Sequence, residues 1–128
     1  QKMIGGSDFI VFNGVDEQFI SGCVMGADGG IGGTYGVMPE LFLKMNTLLK
    51  EGDLQKALEI QMEVDGIIYG MCDCHGNLYA VMKEILRRRE GVEIGGVREP
   101  LPPIIGQDTE KIDRCVRAIE ETLSRYCR

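Results

Sequence analysis

The spacing of hydrophobic positions changes character twice along the chain. Phe9-Ile10-Val11-Phe12 is an unbroken β-branched and aromatic run closed by Asn13-Gly14, which predicts a parallel-type strand buried on both faces. Phe19, Ile20, Cys23 and Val24 then recur at helical spacing. Asp16 is placed to cap a helix starting at Glu17, and Gly26 to end it. Ala27 to Thr34 is too rich in glycine for a helix and too apolar for a solvated loop, so a short second strand is expected. Strand, helix, strand is the βαβ pattern.

After Tyr35 the period is helical. Pro39-Glu40 opens a helix with Leu41, Phe42, Met45, Leu48 and Leu49 on one stripe, ended by Gly52. Asp53 caps the next, which carries Leu54, Ala57, Leu58, Ile60, Met62, Ile67, Ile68 and Met71. A third runs from Asn77 to about Glu90, with Leu78, Val81, Met82, Ile85 and Leu86 inward and Arg87-Arg88-Arg89 where cations suit the helix dipole. Gly91 to Gly106, broken by Pro100, Pro102 and Pro103, is an extended connection. Thr109 is then expected to cap a last helix through Tyr126, its apolar face made by Ile112, Cys115, Val116, Ile119 and Leu123. At most two strands are thus followed by four helices. Two parallel strands do not make a stable sheet alone, so the run Phe9 to Phe12 calls for neighbours that this chain does not supply. A first residue, Gln1, that is not Met fits a chain starting inside a longer one.

Composition narrows the function classes. With 14 Lys+Arg against 20 Asp+Glu, the net charge is −6, which disfavours nucleic acid as a partner. No apolar run reaches the roughly 18 residues that cross a bilayer, and no membrane role is expected. Five cysteines, an odd number without a secretory signal ahead of them, suit a reducing compartment, which points to the cytoplasm. The 18 glycines are about twice the average share and cluster in the first third.

Three segments carry candidate chemistry. Gly29-Gly30-Ile31-Gly32-Gly33-Thr34 resembles a phosphate cradle but lacks both G-x-x-x-x-G-K-[ST] and G-x-G-x-x-G, so the glycines are read as permitting close approach of a strand end to a ligand. Cys72-Asp73-Cys74-His75 holds metal-ligand residue types, yet no distant pair completes a tetrahedron at standard spacing. No metal is expected, and the thiols read as small core residues. Asn13-Gly14-Val15-Asp16-Glu17 places two carboxylates directly after a strand end, where barrel and open α/β enzymes hold ligands. The alternative is that Asp16 caps the helix and Glu17 complements its dipole; spacing alone does not choose between them. Lys2, Lys44, Lys50, Lys56, Lys83 and Lys111 lie on the leading tail or on predicted helices, so none is an evident Schiff-base lysine.

Phe12-Asn13-Gly14-Val15-Asp16-Glu17 followed by Gly26-Ala27-Asp28-Gly29-Gly30-Ile31-Gly32-Gly33-Thr34-Tyr35 closely resembles the pyruvate-dependent aldolase family of dihydrodipicolinate synthase and N-acetylneuraminate lyase. The resemblance continues through Leu49-Lys50-Glu51-Gly52-Asp53 and Met82-Lys83-Glu84-Ile85-Leu86 to the Pro-rich stretch at Pro100, and Gly-x-Asp-Glu points to its sialic acid lyase branch. It implies the C-terminal part of a (β/α)₈ TIM barrel, an α/β fold. Residues 1–52 would supply the last two strand-helix units, strands seven and eight, and residues 53–128 a C-terminal helical extension.

The same resemblance implies a homotetramer that cleaves a sugar acid, N-acetylneuraminate, reversibly to N-acetylmannosamine and pyruvate. It implies no cofactor beyond a covalent Schiff base between pyruvate and a lysine. That lysine and a proton-transferring tyrosine would lie in the N-terminal part of the barrel, upstream of Gln1, leaving this chain inactive alone. Gly14 (through its backbone), Asp16 and Glu17 match positions that hold the hydroxyl-rich sugar tail, and Ile31 matches a strand-end position beside the pyruvyl group. Gly33 stands where such lyases often carry a substrate-contacting serine, which bears on sugar preference. Two other readings stand beside this one: an aldolase of another 2-keto acid, similar to dihydrodipicolinate synthase, and a non-catalytic helical interaction module.

Overall fold

In the computed structural model, which describes residues 5, 6 and 8–128, strands β1 (Phe12–Asn13) and β2 (Gly29–Gly30) pair in parallel, Phe12 opposite Gly29 and Asn13 opposite Gly30. Helix α1 (Phe19–Val24) links them, and Gly26, at φ +96°, takes the left-handed conformation that turns the chain back. The ladder runs one step further at each end. The amide of Asp28 donates to the Val11 carbonyl (2.8 Å), that of Ile31 to the Asn13 carbonyl (2.9 Å), and the Asp28 carboxylate accepts from the Val11 amide (2.8 Å).

This βαβ unit is the expected one, with three corrections. The strand foreseen over Phe9 to Phe12 pairs only at Phe12 and Asn13, and its side chains are open rather than buried on both faces, Ile10 at 66% and Phe12 at 58% exposure. β1 has one neighbour among the described residues, and a second would be needed to cover it. Ala27 to Thr34 is strand only at Gly29–Gly30, and Thr34–Gly36 is a 3₁₀ turn. Asp16 does not cap a helix from Glu17: a 3₁₀ turn, Asp16–Gln18, precedes α1 without a side-chain cap, and the Asp16 carboxylate turns elsewhere.

Four longer helices follow. α2 (Pro39–Glu51) begins on Pro39 and ends at Gly52, φ +83°. α3 (Leu54–Cys72) is capped by Asp53, which accepts from the Lys56 amide at 3.1 Å. α4 (Leu78–Glu90) is capped by Asn77, which accepts from the Tyr79 amide at 3.0 Å. Gly91 to Ile105 runs extended, held by Lys83 Nζ donating to the Gly96 carbonyl (2.6 Å) and the Asn77 amide donating to the Pro102 carbonyl (2.9 Å). α5 (Thr109–Tyr126) differs from expectation at its start, because Asp108, not Thr109, stands at the N-cap position.

α3 is the spine, packed between α2 and α5, with α4 lying against α5. Leu41, Met45 and Leu48 of α2, Ile60, Val64, Ile67 and Met71 of α3, Val81 and Ile85 of α4, and Ile112 and Ile119 of α5 form one contiguous cluster that also takes in Phe19 and Ile20 of α1. Burying such side chains stabilises by roughly 1.5–3 kcal/mol each. Of the apolar residues read along α3, Leu54, Leu58 and Met62 face solvent, while Gln61 and Val64 take inward positions. One buried cation braces the bundle. The Arg89 guanidinium, 5% exposed, bonds Glu120 on α5 at 2.7 Å and the Val37 carbonyl just before α2. Among the described residues no helix is long and apolar enough to cross a membrane.

Candidate functional site

The C-terminal ends of β1 and β2 lie side by side, so the loops leaving them face one another. From β1 the chain passes Gly14 and enters the Asp16–Gln18 turn; from β2 it passes Ile31, Gly32 and Gly33 and enters the Thr34–Gly36 turn. One carboxylate joins the two. Asp16 Oδ2 accepts from the Thr34 amide at 2.9 Å and the Thr34 hydroxyl at 2.5 Å, and both residues are buried, Asp16 at 7% exposure. Bonds of this kind to an ionised acceptor are shorter and stronger than neutral ones. The glycine-rich run is shaped for this contact: a Cβ on Gly32 would stand 1.5 Å from Asp16 Oδ1. A carboxylate beside this concavity, with the Ile31 and Thr34 amides already engaged, makes the loop a poor cradle for a phosphate.

A helix behind the site fixes the first loop. Gln61, buried on α3, donates from Nε2 to the Asp16 carbonyl (3.1 Å) and to Asp65 Oδ1 (2.8 Å), and its Oε1 accepts from the Ile20 amide (3.2 Å). Burial raises the Asp65 pKa, the Gln61 hydrogen bond offsets part of that rise, and the Glu17 charge adds to it. Glu17 also adds to the rise that burial imposes on Cys72. The Asp16–Gln18 turn that carries Glu17 packs against α3.

Below the strand ends, Phe19, Tyr35 and Phe42 pack ring against ring, with centroids 6.0 Å (Phe19–Tyr35), 5.7 Å (Phe19–Phe42) and 3.8 Å (Tyr35–Phe42) apart. The Tyr35 hydroxyl is buried under Gly30, where a Cβ would stand 2.1 Å from it, and it meets no hydrogen-bond partner of good geometry. Burial first, and the Asp16 charge second, push its pKa up to about 12, the Asn13 side chain offsetting part of the rise. This phenol stays protonated at neutral pH.

Of the residues singled out in the sequence, Gly14, Asp16, Glu17, Ile31 and Gly33 all lie on these two facing loops. Gly14 and Ile31 are exposed, Glu17 is half-buried, and Asp16 is turned inward. The Cys72 to His75 stretch lies at the end of α3. There the His75 ring sits 3.0 Å from Asp108, while Asp108 also accepts from the amides of His75 (2.7 Å), Gly76 (3.1 Å) and Ile105 (3.0 Å). Burial pushes the Asp108 carboxyl up, and these four bonds outweigh it, holding the group below the usual carboxylate range. Burial raises the thiol pKa values of Cys72 and Cys74. Among the described residues no group of three or more His, Cys, Asp or Glu is arranged to hold a metal ion. Of the lysines, Lys2 lies outside the described residues, and Lys83 and Lys111 are engaged by the Gly96 carbonyl and by Asp73 (2.7 Å). Gly32 and Thr34 lie in the glycine-rich run singled out in the sequence, but their contact with Asp16 was not foreseen, and Gln61 was not picked out, although a single glutamine inside the apolar run of α3 was an available signal.

The chain belongs to the dihydrodipicolinate synthetase family, whose model matches residues 2–119. It is 47% identical over 125 residues to the N-acetylneuraminate lyase of Mediterraneibacter gnavus, covering 98% of this chain and 40% of that relative. It is 35% identical over 97 residues to the N-acetylneuraminate lyase of Escherichia coli, covering 76% of this chain and 32% of that protein. The structure superposes on the wild-type sialic acid aldolase of Ruminococcus gnavus with a TM-score of 0.96 and 47% identity, over 98% of this chain and 42% of the other. The chain thus spans well under half the length of the relatives it matches.

Proposed function

We propose that this chain is the C-terminal part of a class I pyruvate aldolase that cleaves N-acetylneuraminate to N-acetylmannosamine and pyruvate, and that it contributes the sugar-tail site. The observation that carries this reading is the 47% identity to an N-acetylneuraminate lyase, because it runs through both facing loops. In this reading β1 and β2 are the seventh and eighth strands of a (β/α)₈ barrel, residues 53–128 are a helical extension, and the open side chains of Ile10, Phe12 and Ile31 are covered by the rest of the barrel.

The division of labour follows from the chemistry of the groups. Glu17 carries an acceptor-only carboxylate, suited to the hydroxyl donors of a polyol. Asp16 has Oδ2 committed to Thr34, which leaves Oδ1 as its free acceptor and makes it the group that fixes the shape of both loops. Gly14 offers its carbonyl, and Ile31 an apolar contact beside the pyruvyl carbon. The electron sink is the imine formed between pyruvate and a lysine in the N-terminal part of the protein, and no other cofactor is needed. A homotetramer is the assembly in this reading, and five free cysteines support a cytoplasmic location.

The test is intact mass of the full-length protein after incubation with pyruvate and borohydride, together with N-acetylneuraminate turnover. A covalent pyruvyl adduct with turnover supports the proposal. An adduct without turnover of this sugar acid would favour an aldolase of another 2-keto acid, and no adduct would favour a non-catalytic helical module.

A further inference from the structure

Resting on the sugar-tail reading above, we infer that Asn13 is a positioning residue: its side chain fixes the turn that presents the Gly14 carbonyl and Asp16, and the Tyr35 hydroxyl holds that side chain from behind the strand pair. Asn13 ends β1, and its Nδ2 donates to the Val15 carbonyl at 2.6 Å. The same carbonyl accepts from the Gln18 amide at 3.0 Å. The peptide that enters Asp16 is thus held from one side by Asn13 and from the other by the turn that follows. Gly14 lies inside the ring that the Asn13 side chain closes. It is exposed, and a Cβ there would meet nothing within 4 Å. No packing directs its carbonyl, so the closure by Asn13 does.

The Asn13 side chain is seated rather than free. Asn13 stands opposite Gly30 in the ladder, so the two share one face of the strand pair, the face that α1 covers. At the contact α1 carries Gly22, where a Cβ would stand 2.6 Å from Asn13 Cγ and 2.7 Å from its Cβ. On the strand side, the bare backbone of Gly30 leaves the space that the buried Tyr35 hydroxyl fills. One glycine on the helix and one on the strand therefore make a slot for an amide and a phenol. Their chemistry matches. Nδ2 is spent on Val15, which leaves Oδ1 as an acceptor, while the Tyr35 hydroxyl keeps its proton and has no other partner of good geometry among the described residues. Asn13 is also the side chain whose hydrogen bonding acts on that hydroxyl, against the effects of burial and of the Asp16 charge.

The experiment uses the full-length protein with Asn13→Asp, Tyr35→Phe and both together. Each is assayed on N-acetylneuraminate and on a shortened analogue lacking the glycerol tail, with borohydride trapping of pyruvate and melting temperature followed alongside. Asn13→Asp keeps the shape but sets an oxygen against the Val15 carbonyl. It is expected to raise KM for N-acetylneuraminate about tenfold, as the loss of one hydrogen bond does. Pyruvate trapping and KM for the shortened analogue should not change, and kcat should stay within about twofold. Tyr35→Phe should move KM the same way by about two- to threefold, and the double form should be no worse than Asn13→Asp, because the phenol acts through the amide. A purely structural role would move both substrates alike. An unchanged KM in Asn13→Asp, an equal rise on both substrates, or effects that multiply in the double form would overturn the inference while leaving the lyase reading intact. Wild-type protein inactive on N-acetylneuraminate would overturn both. If Asn13→Asp melts early, Asn13→Ala, which removes the amide without adding charge, is read by the same criteria.

Discussion

The Asp16 carboxylate and Thr34, 18 residues apart in the chain, share two hydrogen bonds that join the loops leaving two parallel strands. The residue that local rules place as a helix cap thus acts as a bolt between loops. Its removal should be felt at the site before it is felt in the fold. Thr34→Val, which keeps the backbone amide and removes the hydroxyl donor, is expected to raise KM for N-acetylneuraminate about tenfold in the full-length protein. Asp16→Ala should lower kcat/KM by a hundredfold or more, in the order of the roughly 3 kcal/mol that a hydrogen-bonded charge contributes. Steady-state kinetics on both variants, with borohydride trapping of pyruvate unchanged, checks this.

Gly32 offers a second route to the same bolt. A methyl group there would collide with Asp16 Oδ1, and the carboxylate would have to leave Thr34. Gly32→Ala should therefore reproduce much of the kinetic defect of Asp16→Ala. Gly36→Ala, where a Cβ meets open space, should change kcat/KM less than twofold. Equal behaviour of the two alanine variants would count against the bolt.

Gln61 is expected to matter for stability as well. Gln61→Leu preserves much of the volume but leaves the Ile20 amide and the Asp16 carbonyl without their partner. An unpaired buried polar group costs about 1–3 kcal/mol, so chemical denaturation of the full-length protein should show a loss of that size. Gln55→Leu, on the exposed side of the same helix, should stay within about 0.5 kcal/mol.

Acid should loosen the helical half first. The Glu84 carboxyl is held down to about 2 by its hydrogen bonds to Arg87 and, beyond the opposing effect of burial, to Arg88. Asp108 is likewise held low. For a carboxylate whose folded pKa is depressed, the stabilisation is fully present above the unfolded value, near 4.5 for glutamate. It fades as pH falls from there toward about 2. Melting temperature should fall through that window, and Glu84→Gln should flatten the fall while lowering stability at neutral pH. An acid limb unchanged by Glu84→Gln would refute the assignment.

What could be read from the sequence divides by the range of the interactions. Asp53 caps as expected and Gly52 ends its helix at positive φ, because each of these roles is decided within a turn of chain; the helix read from Asn77 starts one residue later, with Asn77 as its cap. The parallel pairing of β1 and β2 followed from the βαβ pattern. Strand length did not, since the extent of pairing depends on neighbours rather than on the run itself. Asp16 was read as a helix cap because it had a local position to fill, and it found the Thr34 amide 18 residues away instead; Thr109 was read as the cap of the last helix, but Asp108 stands there and spends its carboxylate on the amides of His75, Gly76 and Ile105. Leu58 and Met62 lie on the open side of α3, which apolar character alone does not reveal, since it does not tell which side will meet α2 and α5.

The Gln61 clamp sets an order of events during synthesis. The amide that fixes the Asp16 carbonyl lies 45 residues further along, so at ordinary translation speeds it emerges roughly 2–9 s after the loop it holds. For that interval the acidic turn has its residues but no frame, and any nascent chain halted before α3 presents Asp16 and Glu17 on an unbraced segment. The shape of the two facing loops is therefore acquired late, when the helical half of the chain arrives.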